Sequence, residues 1–178
     1  MTRLHSAAAR FILIPATMLA LTVASAPAQT PIERPSNSFT PEQDVELGRR
    51  AAAEIRDQLP MLDDERTEDF VERIGERLID EIPPEFRQPA FRYTFDVVNL
   101  REINAFALPG GPMFVNRGMI QAARGEGEVA GVMAHELAHV VLRHGTVQAT
   151  RGQKFQLGAM VGQVLGSILG GRTGAIVA

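Results

Sequence analysis

The chain carries four histidines, and two of them stand four residues apart around a glutamate in Ala134-His135-Glu136-Leu137-Ala138-His139. The pattern is His-Glu-x-x-His. Val129, Val132, Met133, Leu137, Val140, Val141 and Leu142 surround it, so the segment reads as a helix buried on almost every side. Residues four apart lie one turn above the other on a single helical face. The imidazoles of His135 and His139 therefore come together as two ligands of one metal ion, and zinc is the ion this pattern serves. Glu136 lies about 100° round from His135. It stays clear of the metal but can reach a water on it, which is the place of a general base. Two buried core histidines are the bland alternative. Glu136 weighs against it, because an ionised carboxylate in an apolar helix is costly unless something positive faces it. A divalent cation supplies that charge.

Composition narrows the setting. The 178 residues suffice for one domain, and 45% apolar with 22% charged residues is the balance of a globular chain with a real core. Without cysteine, a metal must be held by histidine and carboxylate. A net charge of −3, no tryptophan and no basic tract exclude nucleic-acid binding. Residues 1–28 read as an export signal peptide: Arg3 and Arg10 precede an apolar run from Phe11 to Val23, and Ala26-Pro27-Ala28 offers a cleavage site. The destination is the periplasm or cell envelope. An uncleaved membrane anchor stays open, although the run is short for a span.

The remaining segments must position the histidine helix. Residues 29–39 form an extended lead-in. Thr40-Pro41-Glu42-Gln43 is a helix start with a capping box, and Val45, Ala52, Ile55 and Leu59 make its apolar stripe up to Pro60. A second helix starts near Asp63 or Asp64, buries Phe70, Val71, Ile74, Leu78 and Ile82, and stops at Pro83-Pro84. Its charged opposite face reads as a solvated surface. Strands are predicted over 91–97, 103–108 and 113–116, the last two joined as a hairpin by Pro109-Gly110-Gly111-Pro112. A short helix over 117–123 leads to the central helix, expected from about 126 to 143. Glu126 and Glu128 favour its start, and Gly145 closes it. Beyond it, Phe155 to Gly171 is apolar, with Gly158, Gly162, Gly166 and Gly170 four apart. A closely packed or surface-associating helix making peripheral membrane contact is favoured. A membrane-inserted hairpin and a mobile glycine-rich tail stay open.

Several of these residues carry a resemblance. Asn104 to Gly111, then Phe114-Val115, then Glu128 to Gly145 with its Arg143-His144-Gly145 ending, are similar to metallopeptidase family forty-eight, nearest its periplasmic BepA-like branch. The similarity covers about residues 40–175. It implies an α+β, zincin (gluzincin)-like fold, mostly helical, with a small antiparallel sheet and a central active-site helix. It implies one zinc ion and hydrolysis of internal peptide bonds in misfolded or misassembled proteins. Residue by residue, His135 and His139 would be ligands, Glu136 the base, and Asn104, Ala105, Phe106 and Ala107 an edge strand that holds extended substrate. An exposed edge has unpaired N–H and C=O groups that keep a peptide in register.

There is one departure. The family's third ligand is a glutamate on a later helix, and no Asp or Glu follows Glu136 here. His144 is expected to face away, because five residues past His139 is about 140° round a continuous helix. A third histidine in the alternative Gly-containing arrangement is missing too, since Leu142 and Gly145 stand at its positions. The expectation is therefore that 40–178 is an incomplete metallopeptidase domain. A catalytically silent peptide-binding or chaperone-like module, or an inactive fragment, stays open beside the peptidase.

Overall fold

The computed structural model describes residues 35–151 and Gly166. The expected export signal, the first part of the lead-in, and the segment 155–171 apart from Gly166 lie outside the described residues.

Helix α1 spans Pro41–Gln58 and begins as its local sequence dictates. The Gln43 backbone N–H donates to Thr40 Oγ1 at 3.2 Å, and the Thr40 N–H donates to Gln43 Oε1 at 2.8 Å, which satisfies two donors that a helix start leaves open. Helix α2 spans Glu65–Asp80 behind Asp64. Three strands follow: β1, Thr94–Val98; β2, Ala105–Ala107; and β3, Pro112–Asn116. They precede α3, Arg117–Ala122; α4, Glu126–Val141; and α5, His144–Thr150.

The sheet corrects one expectation. Its order is β1-β3-β2, with β2 and β3 antiparallel but β1 and β3 parallel, so it is mixed rather than antiparallel. The hairpin inserts its returning strand, not its first strand, beside β1. The turn that allows this is Pro109-Gly110-Gly111, in which Gly110 has φ +78°. A Cβ at Gly110 would sit 2.5 Å from Val45 Cα, so only glycine fits this turn against α1.

Strand side chains alternate between two faces. Phe106, Leu108, Phe114 and Val98 pack on Ala51, Ala52 and Ile55 of α1 and on Leu59 just past its end. Val97, Met113 and Val115 pack on the other side with Val71 and Ile74 of α2 and Val129, Met133 and Leu137 of α4. The sheet is thus a middle layer, and β2, its edge strand among the described residues, lies next to α4.

Helix α4 also departs from expectation. It buries Val129, Met133, Leu137 and Val140, a single stripe at helical spacing. The opposite face is open among the described residues: His135, Ala138 and His139 are exposed, and Val132 is 37% exposed. One sheet face covers one helix stripe, so the described residues leave apolar positions elsewhere on the helix uncovered.

Candidate metal centre

His135 and His139 lie on the open face of α4, on successive turns. Their Nε2 atoms are 3.1 Å apart, and their rings meet at 85°. Two imidazole nitrogens at zinc–nitrogen distances in a tetrahedral shell stand about 3.3 Å apart. The pair therefore fits two positions around one ion, and neutral imidazole suits zinc. Among the described residues no group of three His, Cys, Asp or Glu converges on a common point. A third protein ligand is thus not found in this part of the chain.

Glu136 is half-buried between α4 and the end of β2. Burial pushes its carboxyl above the ordinary range; His139, His135 and a hydrogen bond from the Ala107 backbone pull the other way. A carboxylate with raised proton affinity beside two metal-type histidines is equipped to take and return a proton.

The edge strand explains that hydrogen bond. Asn116 N–H donates to Asn104 C=O at 3.0 Å, and Leu108 N–H donates to Pro112 C=O at 2.7 Å. In an antiparallel ladder every second residue exchanges bonds with its partner strand. Asn104, Phe106 and Leu108 therefore turn their backbone groups toward β3, while Ala105 and Ala107 turn theirs to the open edge. The four expected substrate-strand residues divide accordingly. Ala105 and Ala107 present backbone to the edge, and Ala107 N–H is already directed at Glu136. Phe106 does not belong with them: it is 9% exposed and stacks on Phe114 at 5.1 Å, so its ring is core. Asn104 spends its carbonyl on Asn116. A small cleft of about 60 Å³ lies at the far end of this edge, between Ala107, Leu108, Pro109, His139 and Arg143. A groove of about 620 Å³ between α2 and β1 includes neither histidine, so the candidate chemistry is not there.

Three residues around the site were not legible as such. Helix α4 ends at Val141, and Arg143 adopts the left-handed region at φ 58°, ψ 34°. This costs a non-glycine residue about 1–2 kcal/mol. The expected stop at Gly145 is corrected, since Gly145 lies inside α5. The turn also overturns the expectation that His144 faces away. Its Nδ1 lies 2.6 Å from His139 Nδ1, with the rings 4.8 Å apart. Burial holds the His144 imidazole below its ordinary value, and His139 adds to this. Arg143 Nε donates to Asp44 Oδ2 at 2.6 Å, and its Nη2 donates to Phe39 C=O at 2.5 Å. Asp44 is fully buried. One signal could have exposed it: Asp44 shares a helical face with Gly48, Ala51 and Ile55, and an acid on an apolar stripe needs a buried partner.

Nearby, Asn37 Nδ2 donates to Thr146 Oγ1 at 2.9 Å, and Ser38 N–H donates to Thr150 Oγ1 at 2.9 Å, so the lead-in clamps α5.

The chain is 31% identical over 128 residues to the beta-barrel assembly-enhancing protease of Yersinia pestis, covering 72% of this chain and 25% of that protein. It is 30% identical over 102 residues to the Escherichia coli K12 protein of the same name, covering 57% and 20%. It is 54% identical over 41 residues to the mitochondrial metalloendopeptidase OMA1 of Schizosaccharomyces pombe, covering 23% and 12%. The chain spans less than a third of the length of these relatives. The model of peptidase family M48 matches residues 65–176, more than half of the chain and all of α4 with its His-Glu-x-x-His turn. The chain belongs to peptidase family M48.

Proposed function

We propose that this chain is the catalytic part of an exported, zinc-dependent metalloendopeptidase that cuts internal peptide bonds of misfolded or misassembled envelope proteins. The observation that carries this reading is the 3.1 Å separation of His135 and His139 Nε2, with Glu136 between them in sequence and reaching Ala107 on the edge of β2 that the described residues leave open. The signal-like residues 1–28 and the names of the bacterial relatives support an envelope setting. The segment 155–171 is a candidate for peripheral membrane contact.

His135 and His139 would hold the ion. When bound, zinc acts as a Lewis acid that acidifies water and polarises a peptide carbonyl. Substrate extends along β2, with its backbone paired to the edge-facing N–H and C=O of Ala105 and the C=O of Ala107, whose N–H is kept for Glu136. Glu136 takes a proton from the attacking water as its oxygen bonds to the scissile carbonyl carbon. The same carboxyl then delivers that proton to the amide nitrogen as the C–N bond breaks. No net proton is lost, and Glu136 returns to its starting state.

A second reading has a specific observation behind it. No third ligand converges on the histidine pair among the described residues. A peptide-binding module that keeps the edge strand without turnover is the outcome if zinc is not retained. Glu136→Gln separates the two. On the peptidase reading it keeps zinc and peptide binding but lowers hydrolysis of an unfolded protein by about 10²–10⁴-fold. Unchanged cleavage in that variant removes Glu136 from the chemistry. No cleavage by the wild-type chain, with peptide binding intact, favours the silent module.

A further inference from the structure

We propose that His144 is a positioning residue for the metal ligand His139, held in place by the Arg143–Asp44 ion pair; this rests on His139 being a zinc ligand. The two nitrogens of His139 face different partners. Nε2 points to His135 Nε2 at 3.1 Å, and Nδ1 points to His144 Nδ1 at 2.6 Å. A hydrogen bond of that length needs one donor and one acceptor. A metal on Nε2 requires the lone pair there, so the ring proton must sit on Nδ1. His144 Nδ1 then accepts it, and the proton of His144 moves to its own Nε2. This contact fixes both the tautomer and the rotation of the His139 ring, the two properties a ligand must have set before the ion arrives.

The chain places His144 there by breaking the helix at Arg143. A continuous helix would carry position 144 away from His139. Instead Arg143 turns left-handed, and α5 restarts at His144. Such a conformation in a non-glycine residue persists only where its surroundings over-determine it. They do so here. Nε of Arg143 is bonded to the fully buried Asp44, and Nη2 is bonded to the Phe39 carbonyl. A glycine would adopt the turn without strain but could not make either bond. The arginine therefore ties the first turn of α1 to the end of the ligand helix.

The test compares the full chain as wild type, His144→Leu and His144→Asn. Leucine removes the acceptor, while asparagine places a carbonyl oxygen near the former Nδ1. Zinc affinity is read by competition with a chromophoric chelator. The His139 Nδ1–H proton is read by NMR in the zinc-loaded protein with labelled histidine. The expected result is that His144→Leu weakens zinc binding by about 10–100-fold, while His144→Asn restores most of it. A downfield, exchange-protected His139 Nδ1–H is expected in wild type and His144→Asn. Wild-type affinity in His144→Leu overturns the proposal, as does equal weakening in both variants, which would indicate ring packing alone. If His144→Leu does not fold, an unprotected Nδ1–H in zinc-loaded wild type still overturns it. Wild-type protein that takes up no zinc overturns the metal-site reading, and this inference falls with it.

Discussion

Replacing Arg143 gives the sharpest test of how the end of α4 is held. In Arg143→Ala, the Asp44 carboxylate, 1% exposed at the side chain, loses its guanidinium. Breaking a buried pair in this way costs about 3–5 kcal/mol, because the remaining charge stays buried without compensation. Arg143→Gly makes the same electrostatic loss but relieves the left-handed conformation at φ 58°. That relief is about 1 kcal/mol. The two variants therefore rank in an unusual order. In an ordinary helical position glycine is less stable than alanine by about 0.5–1 kcal/mol, whereas here glycine comes out ahead. Urea unfolding followed by far-ultraviolet circular dichroism, in the presence of a chelator, measures both. With a slope of about 1–3 kcal/mol per molar urea, the midpoint of Arg143→Ala falls by about 1 M or more. The reasoning fails if Arg143→Ala is less stable than wild type by less than about 1 kcal/mol, or if Arg143→Gly is the less stable of the two.

Two further predictions concern the sheet. Ala107→Pro removes an edge-facing N–H that Glu136 accepts and no ladder donor, so the fold should survive while peptide hydrolysis is lost; Phe106→Pro removes a ladder donor and a core ring, and should abolish the cooperative unfolding transition. Soluble, cooperatively folded Phe106→Pro would show that the ladder phase is wrong. Gly110→Ala puts a Cβ against the backbone of Val45 in a left-handed turn and should destabilise by at least about 1–3 kcal/mol in the same urea assay; an unchanged midpoint would mean the hairpin turn is not seated on α1.

What the sequence made legible was local. The capping box at Thr40 and Gln43 is complete within four residues, and the His135–His139 spacing needs only a helix to act. Proline and glycine at 109–112 announce their turn by their own backbone limits. Contacts between distant segments were not legible. The parallel pairing of β1 with β3 depends on which hairpin strand docks, and nothing in either strand records that choice. Gly145 offered a ready helix stop, and it hid the left-handed Arg143, whose partner Asp44 lies 99 residues away. A helix continued past that turn carries His144 round and away from the ring it touches. The burial of Phe106 is hidden in the sequence for a related reason. Its place in an edge strand is correct, but the ladder phase that sends its backbone inward is set by β3.

The most direct test of the whole account is the zinc content of purified wild-type, His135→Ala and His139→Ala chains after dialysis, measured by elemental mass spectrometry. The account predicts stoichiometric zinc in the wild-type chain and loss of zinc in each single variant. Wild-type protein without zinc, or variants that keep it, would contradict it.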